Sequence, residues 1–173
     1  MEATKRINET TVTWLKYVGE FNFNSPKISN IKLVHEKNID LIDYKNIYHN
    51  VGRKYGWVSR LNIKDNELLQ IIKSNGVEIF FLKKYNKNIG FLELDYRDNI
   101  EMRIVHLGLI EKYIGQGLGK FLLHTALKFA KNIEINSVVL QTNTLDHPRA
   151  LAFYQHNGFV PFARRNAKII KAI

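Results

Sequence analysis

A glycine-rich turn constrains the fold of this chain more than any other feature. Residues 113–119 read Tyr-Ile-Gly-Gln-Gly-Leu-Gly, and they follow an apolar run at 102–110 that predicts a strand. After the turn, apolar residues from Leu118 to Ala130 recur at helical spacing. A glycine turn between a strand and a helix leaves N–H groups unpaired at the helix N-terminus, where the helix dipole also attracts anions. The sequence therefore predicts a phosphate-binding turn.

Two well-known glycine loops do not fit this turn. The P-loop needs a Lys-Ser/Thr pair after its last glycine, but Gly119 is followed by Lys120 and Phe121, and the four-residue spacer is absent. The dinucleotide fingerprint needs a G-x-G-x-x-G spacing, which Gly115, Gly117 and Gly119 do not have. Both nucleotide classes are thereby excluded for this turn.

The turn instead resembles the loop of the GNAT acyltransferases that holds the diphosphate of acyl-coenzyme A. The family pattern is Arg/Gln-x-x-Gly-x-Gly/Ala, and residues 114–119 follow it with Ile114 in the first position. The resemblance implies that the backbone cradle is kept while one side-chain contact to the diphosphate is lost.

A second GNAT motif lies further along the chain and strengthens the resemblance. Its pattern, Asn-x-x-Ala-x-x-x-Tyr-x-x-x-Gly-Phe, is matched by Ala150, Tyr154, Gly158 and Phe159, with His147 in place of the Asn. The chain also resembles a GNAT subgroup that carries Glu-Leu-Asp in one strand, here 93–95, and Thr-x-Thr-Leu-Asp-His-Pro before the last helix, here 142–148.

This resemblance implies an α/β GNAT fold, with a mixed central sheet of about six to seven strands flanked by about four helices. It also implies transfer of an acetyl group from acetyl-CoA to a primary amine, by direct attack on the thioester. The residues that the resemblance assigns to acetyl-CoA are Leu107, Gly108, Leu109, Ile114, Gly115, Gln116, Gly117, Leu118, Gly119, Lys120 and His147. Asn143 is a further candidate because it lies at the carboxyl end of its strand, where ligands collect in open α/β sheets; the pantetheine and the acceptor are both open as its contact.

Tyr154 and two carboxylates are the candidate catalytic residues. The family position of Tyr154 favours a phenol that protonates the departing thiolate over one that only packs a helix on the sheet. The attacking amine must lose a proton, and Glu93 is the first choice of base, acting through water, with Glu101 the second. Solvent-facing carboxylates are an equally good interpretation of both residues. His106 is a further candidate, although a lone strand histidine is more often packed; strict alternation puts it and Glu101 on opposite faces.

Three residues are candidates for acceptor recognition. Trp57 and Arg60 lie in the region of the first helices, and Asp95 shares a strand face with Glu93. Arg60 suits an acceptor that carries a carboxylate or a phosphate. Core packing for Trp57 and an exposed position for Arg60 are the competing interpretation.

Length and composition indicate the number of domains, the location of the protein and whether it binds a metal. A length of 173 residues predicts a single domain over 1–173, with 1–27 as an N-terminal extension or edge strand. Neither a signal segment nor an apolar run of the ~18 residues that a membrane helix needs is found, so a cytoplasmic protein is expected. Cysteine is absent, and the six histidines lack metal-site spacing, so no metal is expected.

The net charge of +10 leaves two interpretations of the surface open. Attraction to coenzyme A, nucleic acid or a ribosomal surface is one, and an ordinary lysine-rich surface is the other. Because the chain has no block of consecutive basic residues, a nucleic-acid partner is not expected. The alternatives to a small-molecule acetyltransferase are a protein N-terminal or ribosome-associated acetyltransferase, and a non-catalytic module that senses acyl-CoA. The GNAT resemblance makes a homodimer plausible.

Overall fold

The computed structural model describes residues 5–21, 24 and 28–172 of the chain. In these residues it contains seven strands and four α-helices, which confirms the mixed α/β fold predicted from the sequence. The strands are β1 Lys5–Tyr17, β2 Ile31–His35, β3 Val77–Lys84, β4 Lys87–Asp95, β5 Glu101–Leu109, β6 Ser137–Asn143 and β7 Phe159–Ala172. The helices are α1 Leu41–Gly52, α2 Asp65–Ile72, α3 Leu118–Asn132 and α4 Ala150–His156.

The chain divides into two compact units, which are described separately. The central unit is Glu20–Val138, and the terminal unit combines the described parts of Met1–Gly19 and Val139–Ile173. The prediction of a single domain over 1–173 stays a prediction, and residues 1–4, 22, 23 and 25–27 of the predicted N-terminal extension lie outside the described residues.

The central unit is built on an antiparallel sheet in which β2, β3, β4 and β5 pair in sequence order. Asp40 caps α1 by accepting from the N–H of Ile42 at 2.8 Å. The apolar side of α1 then buries Tyr44, Ile47 and Tyr48 among core residues that include Phe91 of β4. On the other face of the sheet, Phe129 of α3 packs edge-on against Phe80 of β3, with ring centroids 5.9 Å apart.

A β-bulge in β5 decides which side chains meet between β4 and β5. Glu93 lies opposite His106, but the next residue of β4, Leu94, lies opposite Ile104, so Val105 is the extra residue. Asp95 is then paired with Arg103, and paired residues of antiparallel strands share a face. The prediction that Glu101 and His106 lie on opposite faces is therefore wrong, because the bulge breaks the strict alternation on which it rested.

The terminal unit is a three-stranded antiparallel ladder with β1 in the middle. On one side, β1 pairs with β6 from Val12↔Asn143 to Lys16↔Val139. On the other side it pairs with β7 over its whole length. The prediction of β1 as an edge strand is thus wrong, because its run of β-branched residues is hydrogen-bonded on both sides, with Thr13 only 5% exposed.

Candidate active site

The glycine turn forms an open N-terminus on the 15-residue helix α3. Gly115 and Gly117 have φ of +86° and +78°, the left-handed region in which glycine carries no steric penalty. The first helical hydrogen bond runs from Phe121 N–H to Gly117 C=O at 3.1 Å, so the three N–H groups of residues 118–120 precede the ladder. The helix carries no acidic residue in its first turn, which leaves the dipole uncompensated.

The side chains of the turn leave its backbone accessible. Gln116 donates from Nε2 to the carbonyl of Lys112 at 3.1 Å, which ties the turn to the residues just before it. Leu118 is buried at 1% exposure and anchors the helix start, whereas Lys120 is exposed. No atom lies within 4 Å of where a Cβ would be on Gly115 or Gly117, so an anion has room to approach both positions.

The end of β5 is shaped by packing against α1. Leu107, Gly108 and Leu109 pair with residues 92, 91 and 90 of β4 in order. A Cβ on Gly108 would lie 2.3 Å from Cγ1 of Val51, so glycine is required for the helix to reach the strand. The β-bulge of β5 lies at residue 105, so Gly108 itself stands in regular strand pairing.

Glu93 is the centre of a buried polar cluster. Its side chain is 1% exposed, and its carboxylate contacts hydrogen-bond donors and a positively charged group. One oxygen, Oε2, accepts from the hydroxyl of Tyr44 at 2.6 Å and lies 2.7 Å from Nδ1 of His106. The other, Oε1, forms an ion pair with Nη2 of Arg60. The carboxylate is thus saturated with partners.

The partners of Glu93 determine its ionisation. Burial alone would raise the pKa of Glu93, but the charge and hydrogen bond of His106, the charge of Arg60 and the hydrogen bond from Tyr44 outweigh it and lower the pKa to about 2. A carboxylate of such low basicity, without exposed surface, is poorly suited to take a proton from a substrate. Its geometry favours a role in holding its neighbours.

His106 has one ring nitrogen engaged and an aromatic surround. Its side chain is 12% exposed, and its ring centroid lies 5.1 Å from that of Tyr48, 5.2 Å from that of Trp57 and 5.8 Å from that of Phe91. Within the described residues, Nδ1 is the ring nitrogen with a hydrogen-bond partner, the carboxylate of Glu93. The aromatic surround orients the ring while leaving part of its edge accessible.

The three predicted acceptor residues have different surroundings. Trp57 packs partly buried against the core cluster of the central unit. Arg60 is 14% exposed, its charge is matched by Glu93, and its Nε is buried without a hydrogen-bond partner among the described residues. Asp95 forms an ion pair with Arg97 at 2.6 Å, and this hydrogen-bonded partner lowers the pKa of Asp95. Because Glu93 already matches its charge, Arg60 attracts a second carboxylate less strongly than an unpaired arginine would.

Glu101, the second-choice base, lies at the opposite end of β5 from the turn. Its Oε2 accepts from the hydroxyl of Ser137 at 3.1 Å, and the residue is only partly buried. The structure thus brings Glu93, Arg60, Trp57 and His106 together in one cluster, whereas Glu101 lies five residues along the strand from His106. Sequence reasoning missed Tyr44, which carried no signal beyond its core spacing.

Tyr154 lies in the terminal unit, in an aromatic environment. Its ring centroid is 5.2 Å from that of Phe153 and 6.0 Å from that of Phe159. Burial, with a smaller effect of the Asp146 carboxylate, raises the pKa of Tyr154 above its usual range. The phenol forms no hydrogen bond to the described residues, so it is protonated at neutral pH and has its donor free.

The segment before α4 organises Asn143 and His147. Asp146 accepts from the hydroxyl of Thr142 at 2.8 Å and from the N–H of Asn143 at 3.0 Å. The carboxylate of Asp146 is thus bonded to β6, and α4 begins at Ala150 without a side-chain cap. His147 accepts at Nδ1 from the N–H of Arg149 at 3.1 Å.

Comparison with known proteins identifies this arrangement. The model of the acetyltransferase (GNAT) family matches residues 44–159, which is more than half of the chain and contains both the glycine turn and Tyr154. The chain belongs to the GNAT acetyltransferase family. It is accordingly an acyltransferase.

Relatives resemble the chain in sequence, and solved structures resemble it in fold. An uncharacterized N-acetyltransferase, ycf52, from Pyropia yezoensis is 23% identical over 166 residues, which cover 86% of this chain and 91% of the relative. A functionally unknown conserved protein from Staphylococcus epidermidis ATCC 12228 shares the fold with a TM-score of 0.68 at 19% identity; 96% of this chain spans 63% of that protein. A putative GNAT acetyltransferase from Novosphingobium aromaticivorans DSM 12444 gives a TM-score of 0.66 at 10% identity, with coverage of 98% of this chain and 68% of that one.

Among residues 5–21, 24 and 28–172, no group of three or more His, Cys, Asp or Glu side chains is arranged to hold a metal ion. Over the same residues, no helix is both long and apolar enough to cross a membrane.

Proposed function

We propose that this GNAT protein transfers an acetyl group from acetyl-CoA to a primary amine by direct attack of the amine on the thioester. The observation that carries the proposal is the open glycine turn at the start of α3. Diphosphate oxygens would accept from the N–H groups of residues 118–120, supported by the helix dipole. Gln116 and the exposed Lys120 would border the diphosphate, with Ile114 contributing only backbone.

The thioester is proposed to lie along the end of β5. In antiparallel pairing, successive residues direct their N–H groups to opposite sides, and the N–H of Ile110 bonds to the carbonyl of Ile89 in β4 at 2.8 Å. The N–H of Leu109 is therefore turned away from β4. This supports pairing of the pantetheine with residues 107–109, and stabilisation of the developing oxyanion by Leu109 N–H. His147 is assigned to the pantetheine by the family resemblance, and Asn143 by its position at the carboxyl end of β6.

Tyr154 is proposed as the acid that protonates the leaving thiolate. A phenol is protonated at neutral pH, and the hydroxyl of Tyr154 is not committed to another acceptor among the described residues, so it has a proton to donate. Trp57, Arg60 and Asp95 are proposed to border the acceptor, with Arg60 acting through the ion pair that it makes with Glu93. The subgroup with Glu-Leu-Asp and Thr-x-Thr-Leu-Asp-His-Pro remains part of this proposal.

The first test measures binding of coenzyme A by calorimetry and thiol release from acetyl-CoA with a panel of amines, amino acids, polyamines and peptides. Gly117→Ala places a Cβ on a left-handed residue, at a strain of about 1–2 kcal/mol that the turn relieves by changing shape. We expect this variant to bind coenzyme A roughly 10-fold more weakly, since 1.4 kcal/mol is tenfold in affinity.

Gly76→Ala is the matched control for that variant. Gly76 also has a positive φ, +88°, but it lies in the turn before β3. It should lose at least as much stability, because its Cβ would also lie 3.1 Å from Cα of Arg97, and it should keep its affinity for coenzyme A. Failure of the wild-type protein to bind coenzyme A would refute the proposal.

Two departures from the family motifs favour a second candidate. Ile114 and His147 stand where the family has Arg or Gln and Asn, which is the motivation for a module that senses acyl-CoA without transferring the acyl group. Binding of coenzyme A without thiol release would favour the sensor for small acceptors. Thiol release only with peptides or ribosomal proteins would instead favour the N-terminal or ribosome-associated enzyme.

A further inference from the structure

The buried cluster around Glu93 fixes the hydrogen position on His106. Glu93 is ionised and can only accept hydrogen bonds, so Nδ1 of His106, 2.7 Å away, must carry the hydrogen that joins them. In a neutral imidazole the other nitrogen, Nε2, then presents its lone pair. Within the described residues no group hydrogen-bonds to Nε2, and the side chain retains 12% exposure. The ring therefore offers one oriented proton acceptor.

The groups around His106 support a proton acceptor at this position. The charged neighbours are Glu93 on β4 and Arg60 in the loop after α1, and their charges cancel in an ion pair. The hydroxyls of Tyr44 and Tyr48 from α1 are bonded to Glu93 and Ser59. When the imidazole takes a proton at Nε2, the new positive charge faces the carboxylate of Glu93, which already accepts the hydrogen bond from Nδ1.

The location along the strand connects His106 with the proposed reaction. His106 immediately precedes residues 107–109, along which the thioester is proposed to lie. Its ring also contacts Trp57, a proposed acceptor residue. A base at this point would meet an amine that approaches the end of β5 from the α1 face.

We propose that His106 is the general base that deprotonates the acceptor amine, and that Glu93 is the positioning residue that holds its tautomer. This inference rests on the proposed function. The amine arrives as R–NH₃⁺; its N–H bond breaks and an H–Nε2 bond forms on His106. The freed lone pair attacks the thioester carbon and the C–S bond breaks. Tyr154 gives its phenol proton to the departing sulfur of coenzyme A, the second amine proton restores the phenol, and the histidinium releases its proton to solvent.

The kinetic test uses acceptors that differ in basicity. An alkyl amine, with a pKa near ~10.4, arrives protonated, whereas an aromatic amine or hydroxylamine arrives neutral. His106→Asn should lower kcat/KM for the alkyl amine by about 100-fold or more, and by less than about 10-fold for the neutral acceptor. Glu93→Gln should show the same selectivity with a smaller loss. Equal losses with both acceptors would overturn the proposal.

The chain offers a matched control in a second histidine–glutamate pair, His35 and Glu78 on β2 and β3. His35→Asn should leave both acceptor rates close to those of the wild type. Coenzyme A affinity of His106→Asn, measured by calorimetry, should stay unchanged, which separates loss of the base from loss of the cofactor site.

A test independent of turnover is ¹⁵N NMR of the histidine rings at pH 7.5. The expected spectrum of His106 shows a protonated Nδ1 and an unprotonated Nε2. A neutral ring with the hydrogen on Nε2, or an imidazolium at this pH, would refute the base even if acetyl transfer is observed. If the tautomer is as expected but no thiol release occurs, the proposed function fails while the Glu93–His106 geometry stands.

Discussion

The same residue pair occurs twice in the central unit, in two different environments. His106 and Glu93 lie on the face of the sheet that packs against α1, and the glutamate side chain is 1% exposed. His35 and Glu78 lie on the face that packs against α3, 2.5 Å apart, with side chains 29% and 23% exposed. Each glutamate also accepts from one tyrosine, Tyr44 in the first pair and Tyr96 in the second.

The two pairs differ because the Glu93 pair has an additional cation beside it and is shielded from water. Arg60 pairs with Glu93, whereas the second pair has no third charged partner among the described residues. In the buried pair the carboxylate depends on protein donors for its solvation, and in the half-exposed pair water supplies part of it. The same two residue types therefore have different properties in the two environments. Glu93 orients the hydrogen on Nδ1 of His106, whereas His35 and Glu78 form a cross-strand contact near solvent.

Removal of each carboxylate gives the largest contrast. Glu93→Ala leaves the guanidinium of Arg60 buried without its partner, and we expect a loss of about 3–5 kcal/mol in the free energy of unfolding. Glu78→Ala should lose about 1 kcal/mol or less, because water replaces the partner. Urea unfolding followed by circular dichroism measures both; similar losses would show that burial does not distinguish the pairs.

The pH dependence of stability is the next largest effect. The pKa of Glu93 falls from its ordinary value of 4.5 to about 2 on folding. A depressed pKa contributes stability that is present above pH 4.5 and lost as the pH falls towards 2, in total about 3 kcal/mol. Urea unfolding between pH 6 and pH 2 should show this loss in the wild-type protein. In Glu93→Gln the loss of stability between pH 6 and pH 2 should be smaller by about 3 kcal/mol. A loss equal to that of the wild-type protein would argue against the depressed pKa of Glu93.

The tyrosine donors give the smallest contrast. Tyr44→Phe removes a hydrogen bond to a buried charge and should cost about 1.5–3 kcal/mol. Tyr96→Phe removes the corresponding bond to Glu78, 3.0 Å long and near solvent, and should cost about 0.5–1 kcal/mol. Thermal unfolding of the two variants, each compared with the wild-type protein, measures the difference. A larger effect for Tyr96→Phe would reverse the comparison.

The sequence predicted those parts of the fold whose determinants are local. The glycine turn, the start of α3 and strands β4 and β5 follow from residues close together in the chain. The Glu93–His106 pair was not predicted, because alternation along β5 is interrupted at Val105, and a bulge leaves no clear mark in the sequence. The ion pair of Arg60 was missed because a loop residue has no periodicity from which its direction can be read.

The placement of β1 was beyond prediction for a related reason. Its sequence indicates a strand, but the partners of a strand depend on contacts distant in the chain. The hydroxyl of Thr10 bonds to Oδ1 of Asn143 at 3.3 Å, across 133 residues of sequence. No local pattern distinguishes an edge strand from an interior one when both neighbours lie so far along the chain.

The central position of β1 has a consequence for the synthesis of the protein. β1 leaves the ribosome before either of its partners, and it must wait until the residues of β6 and β7 have followed. During that interval its β-branched run has unpaired N–H and C=O groups on both sides, which makes it a target for chaperones and for aggregation. Strands β2 to β5 of the central unit have all been synthesised by then, so the terminal unit should be the last part of the chain to fold.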